Sequence, residues 1–176
     1  MWERARALDR RLMARAIAAR SPALDPALVR ITRAANYSRL WLALAALLAA
    51  LGGARGRRAA RRGVLSIALA ATAVNGPAKL LVRRRRPAGK PLPALIRVPR
   101  STSFPSGHSA SAFAFATGAS AEIPALAPLL VPLAAAVAYS RVYTGVHYPS
   151  DVAAGAAIGI GSGALVGAAS KANGEA

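Results

Sequence analysis

The chain has two histidines, and each lies in a cluster unlike the alanine- and leucine-rich sequence around it. The first cluster is Phe104-Pro105-Ser106-Gly107-His108-Ser109. Proline suits a first helical turn because it leaves no N–H unpaired there. The N–H groups that follow, around Ser106 and Gly107, then point out of a helix end, where an anion is stabilised. The second cluster runs from Ser140-Arg141 through His147 to Pro149, Ser150 and Asp151. Pro149 marks another helix start, which leaves His147 on the loop and Asp151 in the first turn. An acid four residues after a histidine can accept its ring N–H, fix the tautomer and support a positive imidazolium. The third cluster is cationic: Lys79, then Arg83, Arg84, Arg85 and Arg86-Pro87. Taken singly, the first two read equally well as helix caps beside interfacial side chains, and the third as a basic patch for anionic lipid.

Composition says what must carry these clusters. The 176 residues hold 24 Lys+Arg against 6 Asp+Glu, a formal net charge of +18, yet 55% are hydrophobic. That apolar content excludes a disordered basic tail. The absence of cysteine excludes a disulfide-stapled module and any thiolate metal site. The charge comes in blocks separated by runs with little or none: 40–54, 63–82 with Lys79 near its end, 101–121, 123–140 and 152–170. Several approach the ~20 residues that cross ~30 Å of hydrocarbon. Such runs are unexplained in a soluble nucleic-acid binder. The pattern predicts an all-α integral membrane bundle with about five transmembrane helices, Tyr37 and Trp41 standing near one interface.

Ahead of the first run, Leu8, Leu12 and Ala16, widened by Met13 and Ile17, form an apolar stripe with Arg4, Arg11 and Arg15 off it. This predicts an amphipathic helix lying among headgroups. Asp25-Pro26 reads as the cap and first residue of a second short helix. No apolar core with a cleavage site is present, so the start is not a signal peptide. The expected organisation is amphipathic interfacial helices over 1–36, a membrane domain over 37–170 and a polar tail over 171–176. Glycines at 155, 159, 163 and 167 form a ladder that lets the last helix approach a neighbour closely.

Alternating spans bring all three clusters to one face, where two histidines, three cations and a helix N-terminus make a site for a tetrahedral anion. The order Lys79-x6-Arg86-Pro87, Pro105-Ser106-Gly107-His108 and Ser140-Arg141-x5-His147-x3-Asp151 resembles the type 2 phosphatidic acid phosphatase (PAP2) superfamily of lipid phosphate phosphatases. The motifs stretch from residue 79 to 151. The family core usually has six spans, whereas here amphipathic helices stand in place of the first.

The resemblance implies metal-independent phosphoryl transfer without a cofactor. It makes His147 the nucleophile that becomes a phosphohistidine, Asp151 its support, and His108 the acid and then the base. Lys79, Arg86 and Arg141 would neutralise the phosphoryl oxygens, with Ser106 and Gly107 as added donors. The implied partner is a lipid phosphate within the bilayer, not nucleic acid. The short, Ala/Arg-rich chain resembles the small branch that includes a phosphatase proposed to act on decaprenylphosphoryl-5-phosphoribose. Prenyl diphosphate and phosphatidic acid remain open as substrates. A vanadium haloperoxidase-like enzyme and a non-catalytic binder of anionic lipid are the alternatives. Nine arginines between Arg4 and Arg39 share the face of the clusters, against six basic residues on the other face (Arg55, Arg57, Arg58, Arg61, Arg62 and Lys171). The positive-inside rule therefore predicts an active site on the cytoplasmic face.

Overall fold

The structure, a computed structural model, describes residues 2–79, 82–87 and 94–173. Among them are seven α-helices: α1 (Trp2–Ala18), α2 (Leu24–Ala34), α3 (Arg39–Leu51), α4 (Gly53–Ala73), α5 (Gly107–Glu122), α6 (Ala127–Tyr143) and α7 (Pro149–Ala172). A π-helical turn, Val74–Ala78, continues α4, and short 3₁₀ turns, Asn36–Ser38 and Pro124–Leu126, precede α3 and α6. Residues 80 and 81, which close the second apolar run, and the tail residues 174–176 lie outside the described residues.

The five helices α3–α7 pass alternately between two ends of a bundle. The central one is α5, packed against α4, α6 and α7. Small residues make this possible. A Cβ on Gly155 would lie 2.3 Å from the Ser106 carbonyl oxygen, and one on Gly159 would lie 2.4 Å from that of Ala110. At Gly163 and Gly167 the nearest atoms belong to Thr117 and Ala121. The four-residue glycine ladder thus faces α5 along its length, as its spacing predicts. On the α4 side, Gly63 lies against the Phe115 ring and Gly118 against Ser66.

The all-α membrane class holds. The stretch Pro124–Tyr143 and helix α7 are each long and apolar enough to cross a membrane, at 20 and 24 residues and mean hydropathy 1.6 and 1.7. A third candidate is the pair Leu24–Ala34 and Asn36–Leu51, bent by 62°. The bend falls where Tyr37 and Ser38 both take positive φ. Helix α5 has 16 residues, roughly 24 Å of rise, and α4 carries five arginines in its first half.

Three local expectations change. Trp41 is not interfacial but fully buried, its ring 5.7 Å from that of Phe115, whereas Tyr37 is 85% exposed. Helix α2 begins at Leu24, capped by Ala23, so Asp25 sits in the first turn instead of capping it. Its carboxylate accepts the Tyr143 hydroxyl at 2.6 Å. In α1 the buried side is Asp9, Met13 and Ala16, while Leu8 and Leu12 face outward. Met13 and Ala16 pack on Val142, which docks α1 onto the ends of α6 and α7.

Candidate active site

The three clusters meet. Lys79, Arg86, Gly107, His108, Arg141 and His147 all border one cavity of about 450 Å³, lined by no carboxylate among the described residues. Two predicted residues stand outside it. Asp151 lies fully buried behind His147. Ser106 is also fully buried, and its hydroxyl oxygen caps α5 by accepting the Ser109 N–H and Oγ–H at 3.4 and 3.0 Å. It serves first to start the helix that presents Gly107 and His108.

His147 is held at the loop before α7, 2% exposed. The Arg86 Nη1 donates to its Nε2 at 2.8 Å. A guanidinium has only protons to give, so Nε2 carries the lone pair and Nδ1 the proton. Nδ1 faces Asp151 Oδ2 at 3.7 Å, within ion-pair range but beyond a hydrogen bond. Burial pushes the ring down to about 4; the Asp151 carboxylate opposes this, and the Arg86 and Arg141 charges add to it. At neutral pH the ring is therefore uncharged, with its lone pair held by Arg86, which borders the cavity beside it.

Asp151 is anchored on both oxygens. Oδ2 accepts the Ser103 hydroxyl and the Tyr148 N–H, the latter at 2.9 Å. Oδ1 accepts from Arg84 Nη1 at 2.9 Å. Arg84 also lies over the Tyr148 ring, 3.9 Å from its centre, and reaches Asp9 through Nη2 at 2.7 Å. Asp9, 4% exposed, accepts in turn from the Ser150 N–H and hydroxyl at 2.9 and 2.6 Å. The carboxylate behind His147 is thus tied through Arg84 to the first helix of the chain.

The cations are placed differently. Arg86 spans the loops, bonding to Ser101, Thr102 and Val146 as well as His147. Lys79 follows the π-helical turn and bonds Asn75 at 2.8 Å. Pro77 cannot donate a helical hydrogen bond, and the turn that absorbs this aims Lys79 into the cavity. Arg141 is 1% exposed. It donates to Thr32 Oγ1 of α2, its Nε has no partner, and no described carboxylate pairs with it. His108 Nε2 meets Asn36 Oδ1 at 2.9 Å.

Reading by motif therefore missed Asp9, Thr32, Asn36, Arg84 and Ser103. One signal pointed to Asp9. With only six acids against 24 bases, each acid has several cations competing for it. Asp9, Asp25, Glu122 and Asp151 are all engaged by other side chains.

The PAP2 superfamily profile matches residues 60–175. The chain belongs to the PAP2 superfamily. A decaprenylphosphoryl-5-phosphoribose phosphatase of Mycobacterium tuberculosis is 40% identical over 90 residues, 50% of this chain and 49% of that protein. The chain thus spans about half the length of the curated relatives it matches. Among solved structures, Aquifex aeolicus LpxE superposes with a TM-score of 0.77 at 27% identity, over 90% of this chain and 94% of that one. A transmembrane PAP2-type phosphatidylglycerolphosphate phosphatase from Bacillus subtilis gives 0.75 at 25%, over 95% and 86%. Coverage this high includes part of residues 1–36, so this PAP2 chain shares some of its N-terminal segment with those structures.

Proposed function

We propose that this chain is a membrane lipid phosphate phosphatase that works through a phosphohistidine on His147. The observation that carries the reading is Arg141, a buried cation with no counter-charge among the described residues, on a cavity whose described lining adds further cations and no acid. A buried charge is costly until something pairs with it, and a phosphoryl group supplies the pairing. In the first step His147 Nε2 attacks phosphorus and the P–O bond breaks. The leaving oxygen takes its electron pair and a proton from His108, which enters the step as an imidazolium paired with the anionic substrate and leaves it as a neutral ring held by Asn36. Asp151 supports the positive phosphoimidazole that results. In the second step water attacks phosphorus, gives its proton to His108, and the P–N bond breaks to restore neutral His147. Lys79, Arg86 and Arg141 supply the positive charge the transition state needs, with the Gly107 N–H at the helix end that Ser106 caps, so the chemistry as proposed runs without a metal.

The substrate we propose is a prenyl-phosphoryl-ribose phosphate, supported by the name of the Mycobacterium tuberculosis relative. The face we propose is cytoplasmic, supported by the arginines of the N-terminal segment. The test is phosphate release from this lipid, from a prenyl diphosphate and from phosphatidic acid by the purified chain and its His147→Ala variant. Rapid quenching with labelled substrate should trap acid-labile phosphohistidine in the wild type only, and the variant should lose on the order of 10³-fold or more in kcat. Normal turnover by His147→Ala would rule the mechanism out.

A further inference from the structure

Past His108 the phosphoryl cavity meets a second one of about 650 Å³. His108 and Arg141 border both, whereas His147 borders only the smaller. An in-line displacement puts nucleophile and leaving oxygen on opposite sides of phosphorus. The leaving oxygen is the one His108 protonates, so the alcohol it belongs to extends into the larger cavity. Asn36, bonded to His108 Nε2, stands at that junction.

The larger cavity is itself cationic. Arg33 enters it from the last turn of α2, and Arg97 and Arg100 from the loop before α5. All three are exposed, none pairs with a described carboxylate, and no acid among the described residues lines the space. A neutral leaving alcohol gives these cations nothing to pair with. An alcohol that carries its own anion does, and guanidinium groups match phosphate oxygens in geometry as well as charge.

We infer that Arg33, Arg97 and Arg100 form a second anion subsite, which holds the phosphodiester of the prenyl-phosphoryl-ribose phosphate proposed above while its terminal monoester is cleaved. This rests on the phosphatase reading above and adds a determinant of substrate choice to it. The roughly 650 Å³ available is of the size that holds a small polar molecule, so a pentose between the two phosphates fits it.

The test uses the full chain in neutral detergent, free of anionic lipid, with two substrates. One is farnesyl-phosphoryl-ribose 5-phosphate; the other is farnesyl riboside 5-phosphate, which lacks the diester charge. The wild type should prefer the diester by about 10-fold or more in kcat/KM, the worth of a charge-assisted contact. In the Arg97→Ala/Arg100→Ala double variant, and less so in Arg33→Ala, the ratio should fall toward one, with the change in KM. A wild-type ratio near one, or a ratio the double variant leaves intact, overturns the subsite. Should phosphatidic acid be hydrolysed well and neither riboside derivative at all, the subsite falls while the phosphatase reading stands. Failure of every lipid phosphate would remove the phosphatase reading and the subsite with it.

Discussion

His147 shows how one side chain is prepared by its neighbours. Arg86 on Nε2 selects the tautomer, and burial keeps the ring neutral with a pKa of about 4. The sign is clear: a pKa below the ordinary value of ~6.5 means the proton leaves earlier on raising pH, so the reactive lone pair persists into mild acid. The chain has two histidines, so ring ¹⁵N shifts can be assigned with one variant. In the ligand-free protein, the His147 signals should stay flat from about pH 5.5 to 7.5. A midpoint near 6.5 would mean a solvated ring. The motif residues were legible because their spacing along the chain is the signal. Arg84 was not, because Arg83, Arg84 and Arg85 are chemically identical, and only the fold turns the middle one onto Asp151 while the others stay exposed.

At the scale of elements, α1 is more than an amphipathic helix resting on a surface. Its Asp9 holds Ser150 and Arg84, and so the carboxylate behind His147. Asp9→Ala should lower kcat by about 10-fold while KM moves less, the scale seen when a supporting hydrogen bond is removed. Leu8→Ala, on the exposed side of the same helix, should change neither constant. If Asp9→Ala turns over like the wild type, α1 does not position the site. The α5–α7 contact gives a paired test. Gly159→Ala places a Cβ 2.4 Å from a carbonyl oxygen, whereas Gly161→Ala meets nothing within 4 Å. The first should lower thermal stability by about 1–3 kcal/mol; the second should raise it by up to about 1 kcal/mol through helix propensity. Equal effects in a detergent melting experiment would mean that α5 and α7 pack less closely.

At the scale of the whole molecule, the charge balance between the two ends is altered by pairing. Glu122, at the far end of α5, binds Arg58 and Arg62 at 2.8 Å each, and its carbonyl takes Arg55. Asp9 and Asp25 likewise engage side chains at the other end, so acids temper both ends, and the sidedness argument rests on the Lys and Arg count alone, nine against six. With no native cysteine, Ala14→Cys on α1 and Ala54→Cys beside the opposite end can report sidedness, both positions being exposed. In intact cells an impermeant thiol reagent should label only the cysteine at position 54. Labelling at 14 instead would put the proposed active site outside.

What the sequence determined by itself was local or periodic. Prolines and glycines near helix starts, runs of apolar residues and the four-residue glycine ladder act through backbone sterics and burial over a few residues, so they can be read along the chain. The tertiary structure decided which side of each helix faces inward, and that depends on partners far away in sequence. Trp41 turned inward because Phe115 and the small residues of α5 left room for it. Asp9 turned inward because Ser150 and Arg84 offered it hydrogen bonds that lipid cannot. Asn36 and Thr32 became neighbours of His108 and Arg141 only when the N-terminal helices folded back over the catalytic end. A contact across roughly a hundred residues leaves no spacing to read. It exists only because a buried polar group must find a partner wherever the packing supplies one.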